Sequence, residues 1–401
     1  MQQSPPAAAA SPASDATALR ALAPVFFYFV IAGVVTVMLG PLLPALIQRW
    51  QIEDAQAGAL FTATFAGQFC GAWFAVHNLR ASVISGALLT AGGCAALAFT
   101  DFGPAHIAFF CVGLGLGAGL TAGNVIVGTV VPSARARLLA LLNVAWSVGA
   151  IACPLLVRAC GASGTRAFFH LAAAVLVLAA LFAIAIPYQP HSVDARFDAD
   201  VMPLRSATGR PSRMPLPLLP LLLFAVALLL YVGIENALGG WLPSYAIRVN
   251  PSAHAPAIAL SFWAAELVGR LLMAAPHRLG EAALYRLSLA ALILTQALIL
   301  AAGHLTPGAM MALTILSGLT IAPLYPLILA FLLARTGRHP RLGPLFASAS
   351  LGGATLPWFT GIVSNHFHAL RIGLVVPAAG AVLLLLLSVG TTSKPAERIE
   401  A

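Results

Sequence analysis

The chain has 401 residues, 60% of them hydrophobic and only 8% charged, with a formal net charge of +9. A soluble domain carries about a quarter charged residues, so this composition excludes a water-soluble fold and makes lipid the solvent. No Lys/Arg cluster is interleaved with aromatic residues, so nucleic acid is not an expected partner.

Residues 1–21 are rich in Ala, Pro and Ser, the composition of a disordered tail. They lack a positive n-region, and the apolar run that follows is too long for a cleaved signal, so it reads as a retained first helix. Runs of about 18 or more apolar residues mark membrane-spanning helices. They recur near 22–48, 56–76, 82–100, 104–131, 136–158 and 166–187, then near 215–247, 255–276, 284–303, 307–334, 343–364 and 371–390. Short segments of alternating hydrophobicity, the mark of a membrane barrel, are absent. The longest polar stretch falls between the sixth and seventh runs. The expected organisation is therefore a six-helix bundle over 22–187, a linker over 188–213, a second bundle over 214–390 and a tail over 391–401. The fold class is an all-α membrane protein of twelve transmembrane helices.

With the N-terminus placed inside and the loops assigned alternately, only Arg49, Arg158, Arg166, Arg248 and Arg371 of the 21 Lys and Arg residues fall outside. That bias sets both termini in the cytoplasm of a bacterial-type inner membrane and accounts for the net charge as topology.

The halves repeat. "LGPLLPALIQR" (39–49) and "LGGWLPSYAIR" (238–248) share Leu, Gly, Leu, Pro and Arg at an offset of 199, which also carries "GLT" at 119–121 onto "GLT" at 318–320. Gly71 with Arg80 matches Gly269 with Arg278, and Gly149 with Pro154 matches Gly352 with Pro357. Matches in chain order at nearly constant offset argue a repeated six-helix unit, the architecture of transporters that rock about a midplane site.

Only two acidic residues, Glu235 and Glu266, lie within spans. An ionised side chain at the centre of a membrane helix costs about 3 kcal/mol, so each needs a partner or a wet cavity. Counting about 1.5 Å per residue from Leu218 sets Glu235 in the outer half of the bilayer. It either faces a central cavity, binding solute or a proton, or braces a bend at Gly239, Gly240 and Pro243. Glu266 has Arg270 one turn on, a pair that neutralises itself, with Arg270 snorkelling toward the cytoplasmic end. This pair is structural or serves as a proton-linked gate. Solute recognition needs amides and hydroxyls with an aromatic face beside them. Asn124, Asn143, Trp146, Asn236 and Trp241 are the expected binding residues, with Gln68, Gln296, Trp263 and Trp358 as weaker candidates. Each Trp also has an interfacial or packing explanation.

"YVGIENALGGWLPSY", "FWAAELVGRLL", "GLTIAPLYPLILA" and "GGATLPWFTGIVS" resemble helices seven, eight, ten and eleven of the major facilitator superfamily, and more narrowly of its fucose permease-like sugar branch. "DAQAGALFTATFAGQFCG" (54–71) is similar to that family's loop into the second helix. The resemblance spans roughly 22–390. It implies two pseudo-symmetric six-helix bundles, the major facilitator fold. It also implies that Asn143, and Asn124 in helix four, hold sugar. Two departures stand out. "GAWFAVHNLRAS" keeps Gly71 and Arg80 but lacks the family's acid. The branch's carboxylates in helices one and four are replaced by Gly40 and Leu120, so any proton carrier here is Glu235 or Glu266.

The chain holds no GxxxxGK, HExxH or GxSxG. Its five cysteines form no CxxC, and "HFH" (366–368) is a single pair without further ligands. Neither an enzyme, a cofactor nor a metal is expected. The expectation is a monomeric secondary transporter of a sugar-like small molecule, with symport and uniport both open. An exporter of amphipathic compounds on the same fold and a non-transporting receptor are the alternatives.

Overall fold

The computed structural model describes residues 21–75, 78–130, 135–161, 164–184, 218–274, 279–302, 304–336 and 342–392. The expected linker at 188–213, the N-terminal tail up to residue 20 and residues 393–401 lie outside them. The first half contains α1 (Ala23–Thr36), α2 (Leu39–Trp50), α3 (Asp54–Phe74), α4 (Leu79–Leu97), α5 (Phe102–Val130), α6 (Arg135–Cys160) and α7 (Gly164–Ile184). The second contains α8 (Leu218–Val249), α9 (Ala255–Ala274), α10 (Glu281–Ala301), α11 (Pro307–Ile321), α12 (Leu324–Thr336), α13 (Leu342–Phe367), α14 (Leu370–Gly373) and α15 (Val375–Thr392).

Among the described residues nine spans are long and apolar enough to cross a membrane, and the pair α1–α2, bent by 43°, makes a tenth. α11 with α12, and α14 with α15, each form one such span. α3 and α13, of 21 and 26 residues, complete twelve rods. They carry Gly, Thr, Ser and Gln in place of leucine runs because they pack on each other between the bundles.

The breaks have a common cause. Proline lacks the N–H that would bond the carbonyl four residues back, and its ring crowds that carbonyl. Pro41 acts on Val37, where α1 gives way to α2. Pro326 acts on Ala322, between α11 and α12, and Pro377 acts on Gly373, where α14 ends. α8 behaves differently: it stays helical through Gly239, Gly240 and Pro243 to Val249 and does not unwind there. Neighbouring rings pack closely on it. A β-carbon at Gly240 would lie 2.5 Å from the Phe61 ring, and one at Gly239 would lie 2.7 Å from that of Trp263.

The internal repeat is visible in the seams. In lipid, helices associate by close backbone approach over small residues. A β-carbon at Gly149 of α6 would stand 1.8 Å from the Val30 carbonyl oxygen of α1, and one at Gly352 of α13 would stand 1.8 Å from that of Leu229 in α8. Gly71 of α3 meets the backbone of α5 at Leu114, as Gly269 of α9 meets that of α11 at Leu319. Equivalent glycines close equivalent seams in two pseudo-symmetric bundles.

Loop arginines tie the rod ends. On the face where α7 ends and α8 begins, the linker face, Arg80 donates to the Ile184 carbonyl and Arg286 to Thr392 Oγ1 at 2.6 Å. On the far face, Arg49 donates to the carbonyls of Leu97 and Ala98, both at 3.1 Å, and of Thr100 at 3.2 Å.

The seams can be tested by substitution. Gly352→Ala forces a methyl into the Leu229 carbonyl and is expected to lower the thermal midpoint in detergent, at a cost of about 1–3 kcal/mol or more. Gly92→Ala, where nothing lies within 4 Å, is expected to leave it unchanged or raise it. Equal midpoints for the two variants would contradict the seam.

Candidate functional site

Tyr231 and Glu235 lie one turn apart on α8; Glu266 and Arg270 lie one turn apart on α9. The four side chains meet. Tyr231 donates its hydroxyl to Glu235 Oε1, with Glu266 Oε1 3.4 Å away. Arg270 Nη2 donates to Glu266 Oε1 and, at 3.1 Å, to Glu235 Oε1, and stands 3.4 Å from the Tyr231 hydroxyl. Glu235 is 8% exposed and Glu266 1%. Glu266 Oε2 is buried without a hydrogen-bond partner.

In α8, unbroken over 32 residues, Glu235 stands just past the middle, about 25 Å along a helix of about 48 Å. Arg270 does not snorkel toward the linker face. It turns inward, and Glu235 joins what looked like an isolated pair on α9.

The cluster sits on the plane between the bundles. Arg270 Nη1 donates to Ser147 Oγ of α6 at 3.2 Å, and its guanidinium carbon lies 6.0 Å from the Trp146 ring centroid. Trp146 meets Trp263 of α9 edge to face at 5.9 Å. Asn143 lies on this same face of α6, one turn from Ser147, and Ser147 Oγ donates to the Asn143 carbonyl at 3.0 Å.

The candidate amides are turned back onto their own helices. Asn124 donates to Leu120 O at 2.9 Å, Asn143 to Leu139 O at 3.1 Å and Asn236 to Val232 O at 2.8 Å. Asn124 and Asn143 are exposed; Asn236 is buried. Gln296 lies inside the second bundle, donating to Ser317 Oγ at 3.1 Å. Trp358 is 37% exposed beside Phe359, away from the cluster.

Toward the far face the bundles are closed. Pro243 removes the donor for the Gly239 carbonyl, and Gly40 of the first bundle packs on that freed oxygen; a β-carbon at Gly40 would stand 2.4 Å from it. Pro44 stands to Gly40 as Pro243 stands to Gly239, so the repeated segments meet each other across the seam. Trp241 is fully buried here. Its indole donates to Pro357 O at 2.9 Å and its ring lies 6.4 Å from that of Phe61. Arg248 holds Asp54 with two bonds, at 2.7 and 2.5 Å, and Ser364 Oγ adds a third at 2.5 Å. Sequence reasoning passed over Asp54 as a loop acid. The available signal was Arg248, the counterpart of Arg49 in the repeat. Arg49 spends its donors on carbonyls of its own bundle, whereas Arg248 reaches across.

Among the described residues no group of three His, Cys, Asp or Glu stands close enough to hold a metal ion. The site offers hydrogen-bonding groups from both bundles, two carboxylates among them.

The sequence pattern of the Major Facilitator Superfamily matches residues 25–341. The chain belongs to the major facilitator superfamily. Membership makes it a multi-pass membrane transporter and not an enzyme. Among curated proteins, it is similar to Bypass of stop codon protein 6 of Saccharomyces cerevisiae, at 24% identity over 84% of this chain and 75% of that one. Among solved structures, it is similar to the fucose:proton symporter of E. coli, at 17% identity over 94% and 98% of the two chains with a TM-score of 0.60. A D-xylose–proton symporter gives 14% identity over 93% and 97%, with a TM-score of 0.70. At these identities the likeness to the major facilitator structures is one of fold.

Removing the cation gives a direct check on the cluster. Breaking a buried pair by deleting one partner costs about 3–5 kcal/mol, so Arg270→Ala is expected to lower the thermal midpoint strongly. Adding Glu266→Gln to it removes one orphaned carboxylate and is expected to recover part of the loss. A double variant no more stable than the single one would show that the two carboxylates do not share the guanidinium.

Proposed function

We propose that this protein is a secondary active transporter of a small polar, sugar-like solute, working by alternating access and coupled to protons through Glu235, Glu266 and Arg270. One observation carries the reading: two buried carboxylates share one guanidinium within the spans, and that guanidinium also bonds the opposite bundle through Ser147.

The charge balance supports coupling. With both carboxylates ionised the cluster carries one uncompensated negative charge in a low-dielectric setting, where unpaired charge is costly. One proton makes it neutral. A proton on either carboxylate also loosens its hold on Arg270, and so the link from α9 to α6. Protonation state and the contact between the bundles then change together, as a coupled carrier requires. The solved neighbours described as fucose:proton and D-xylose–proton symporters are in keeping with this assignment.

The solute would bind beside the cluster, against the Trp146 ring and the amides of Asn124, Asn143 and Asn236. Trp241, spent here on the far-face closure, would join the lining when that closure opens. The surroundings are amide, hydroxyl and indole groups, which favours a polar solute over the Met- and Phe-lined cavity of an exporter of amphipathic compounds. The arginine bias places the linker face in the cytoplasm of a bacterial-type inner membrane, with the protein acting as a monomer.

The test is uptake of labelled hexoses and pentoses into proteoliposomes with and without an inward proton gradient. Glu235→Gln and Glu266→Gln are each expected to cut gradient-driven accumulation at least tenfold while keeping counterflow exchange. Full accumulation by both variants would exclude the carboxylates as proton carriers. Absence of any gradient effect in the wild type would exclude symport.

A further inference from the structure

Trp263 stands outside the set of amides and rings just described. Its indole Nε1 is buried without an acceptor, in a side chain only 4% exposed. Its ring is fixed by its surroundings: edge to face with Trp146 at 5.9 Å, edge to face with Phe262 at 5.0 Å, and against the α-carbon of Gly239. Three residues on, Glu266 Oε2 is buried without a donor. One turn of α9 therefore presents an unmet donor and an unmet acceptor on the same face, with Arg270 a further turn along.

A buried polar group left without a partner destabilises the state that holds it. The two lacks are complementary. Side chains three residues apart on a helix start about 5–6 Å from each other. Two hydrogen bonds of about 2.8 Å meeting at one oxygen bridge a donor and an acceptor up to about 5.6 Å apart, within reach of two side chains so spaced. A hydroxyl accepts one bond and donates another, so one hydroxyl satisfies both groups at once. An ether oxygen or a fluorine only accepts, and an ammonium only donates.

Access to the pair depends on the seam. Trp263 is covered by Trp146, which belongs to the opposite bundle and lies beside Ser147, the residue that holds Arg270. Rocking α6 away from α9 uncovers the indole. In the closed state the two groups remain unpaired, so a hydroxyl bound when the seam is open has no competitor within the protein.

We infer that Trp263 is a solute-binding residue, and that its indole N–H and Glu266 Oε2 together hold one hydroxyl of the transported solute. This rests on the transport of a hydroxylated solute proposed above.

The experiment is binding to purified protein of D-glucose, D-xylose and L-fucose, with their single-position deoxy and fluoro analogues, to wild type and Trp263→Phe. Phenylalanine keeps an aromatic ring against Trp146 and removes only the N–H and the second ring. For a sugar that binds wild type, Trp263→Phe is expected to weaken binding about tenfold. One deoxy position is expected to lose about tenfold on wild type and clearly less on Trp263→Phe, where only the bond to Glu266 remains to be lost. The fluoro analogue at that position, able to accept but not donate, is expected to fall between. Unchanged affinity of Trp263→Phe, or additive losses at every deoxy position, would overturn the inference and leave the transport reading intact. Should the variant misfold, the wild-type series still decides: analogues that all bind like the parent would overturn it. If no sugar in the panel binds wild type, the sugar reading falls, and this inference with it.

Discussion

A single guanidinium answers for two carboxylates on the plane where two helical bundles meet. In hydrocarbon, no water is at hand to share that duty, so Arg270 ties together the helix it belongs to, the neighbouring α8 and, through Ser147, the opposite bundle. Its bonds to the two carboxylates cannot be strengthened or weakened independently, because they converge on the same donor nitrogen. On the proposed reading, a change of charge in the cluster is felt at the seam, which is the property a coupled carrier needs.

The rest of the architecture lets the seam move as a unit. Within each bundle, glycines bring backbones into contact so closely that even a methyl group would not fit, at Gly149 in one half and Gly352 in the other. Between the bundles, glycines also approach the opposite backbone, Gly40 at the Gly239 carbonyl and Gly361 at that of Asp54, but side-chain contacts join them too: an aromatic edge, a hydroxyl, and at the far face an ion pair with a serine behind it. Rigid bodies joined by a breakable interface are the mechanical condition for rocking. The two ends of the interface also differ. Asp54 and Arg248 have no counterpart in the repeat, since Arg49 at the matching position is spent within its own bundle.

Much of this was legible in the residues. Spans and the repeat follow from apolar run length and a constant offset, both one-dimensional signals. The Glu266–Arg270 pair was legible because four residues make one helical turn. The remainder needed distances between rods. Glu235 reads as solitary until the rotation of α8 against α9 is known, and its depth depends on whether α8 continues past Pro243. Proline alone does not decide that. Pro41, Pro326 and Pro377 break their rods, while Pro243 and Pro357 do not. Around Pro243, Phe61, Trp263 and Gly40 pack closely on the backbone. Asp54, at the first turn of α3, looked like a loop acid because its partner lies nearly two hundred residues away.

The proton count per solute tests the central claim most directly. One guanidinium facing two carboxylates leaves room for one exchangeable proton in the cluster. Solute flux in proteoliposomes, balanced against known proton and solute gradients to find the point of zero net movement, yields that ratio. The account predicts one proton per solute. A ratio of zero or of two would contradict it.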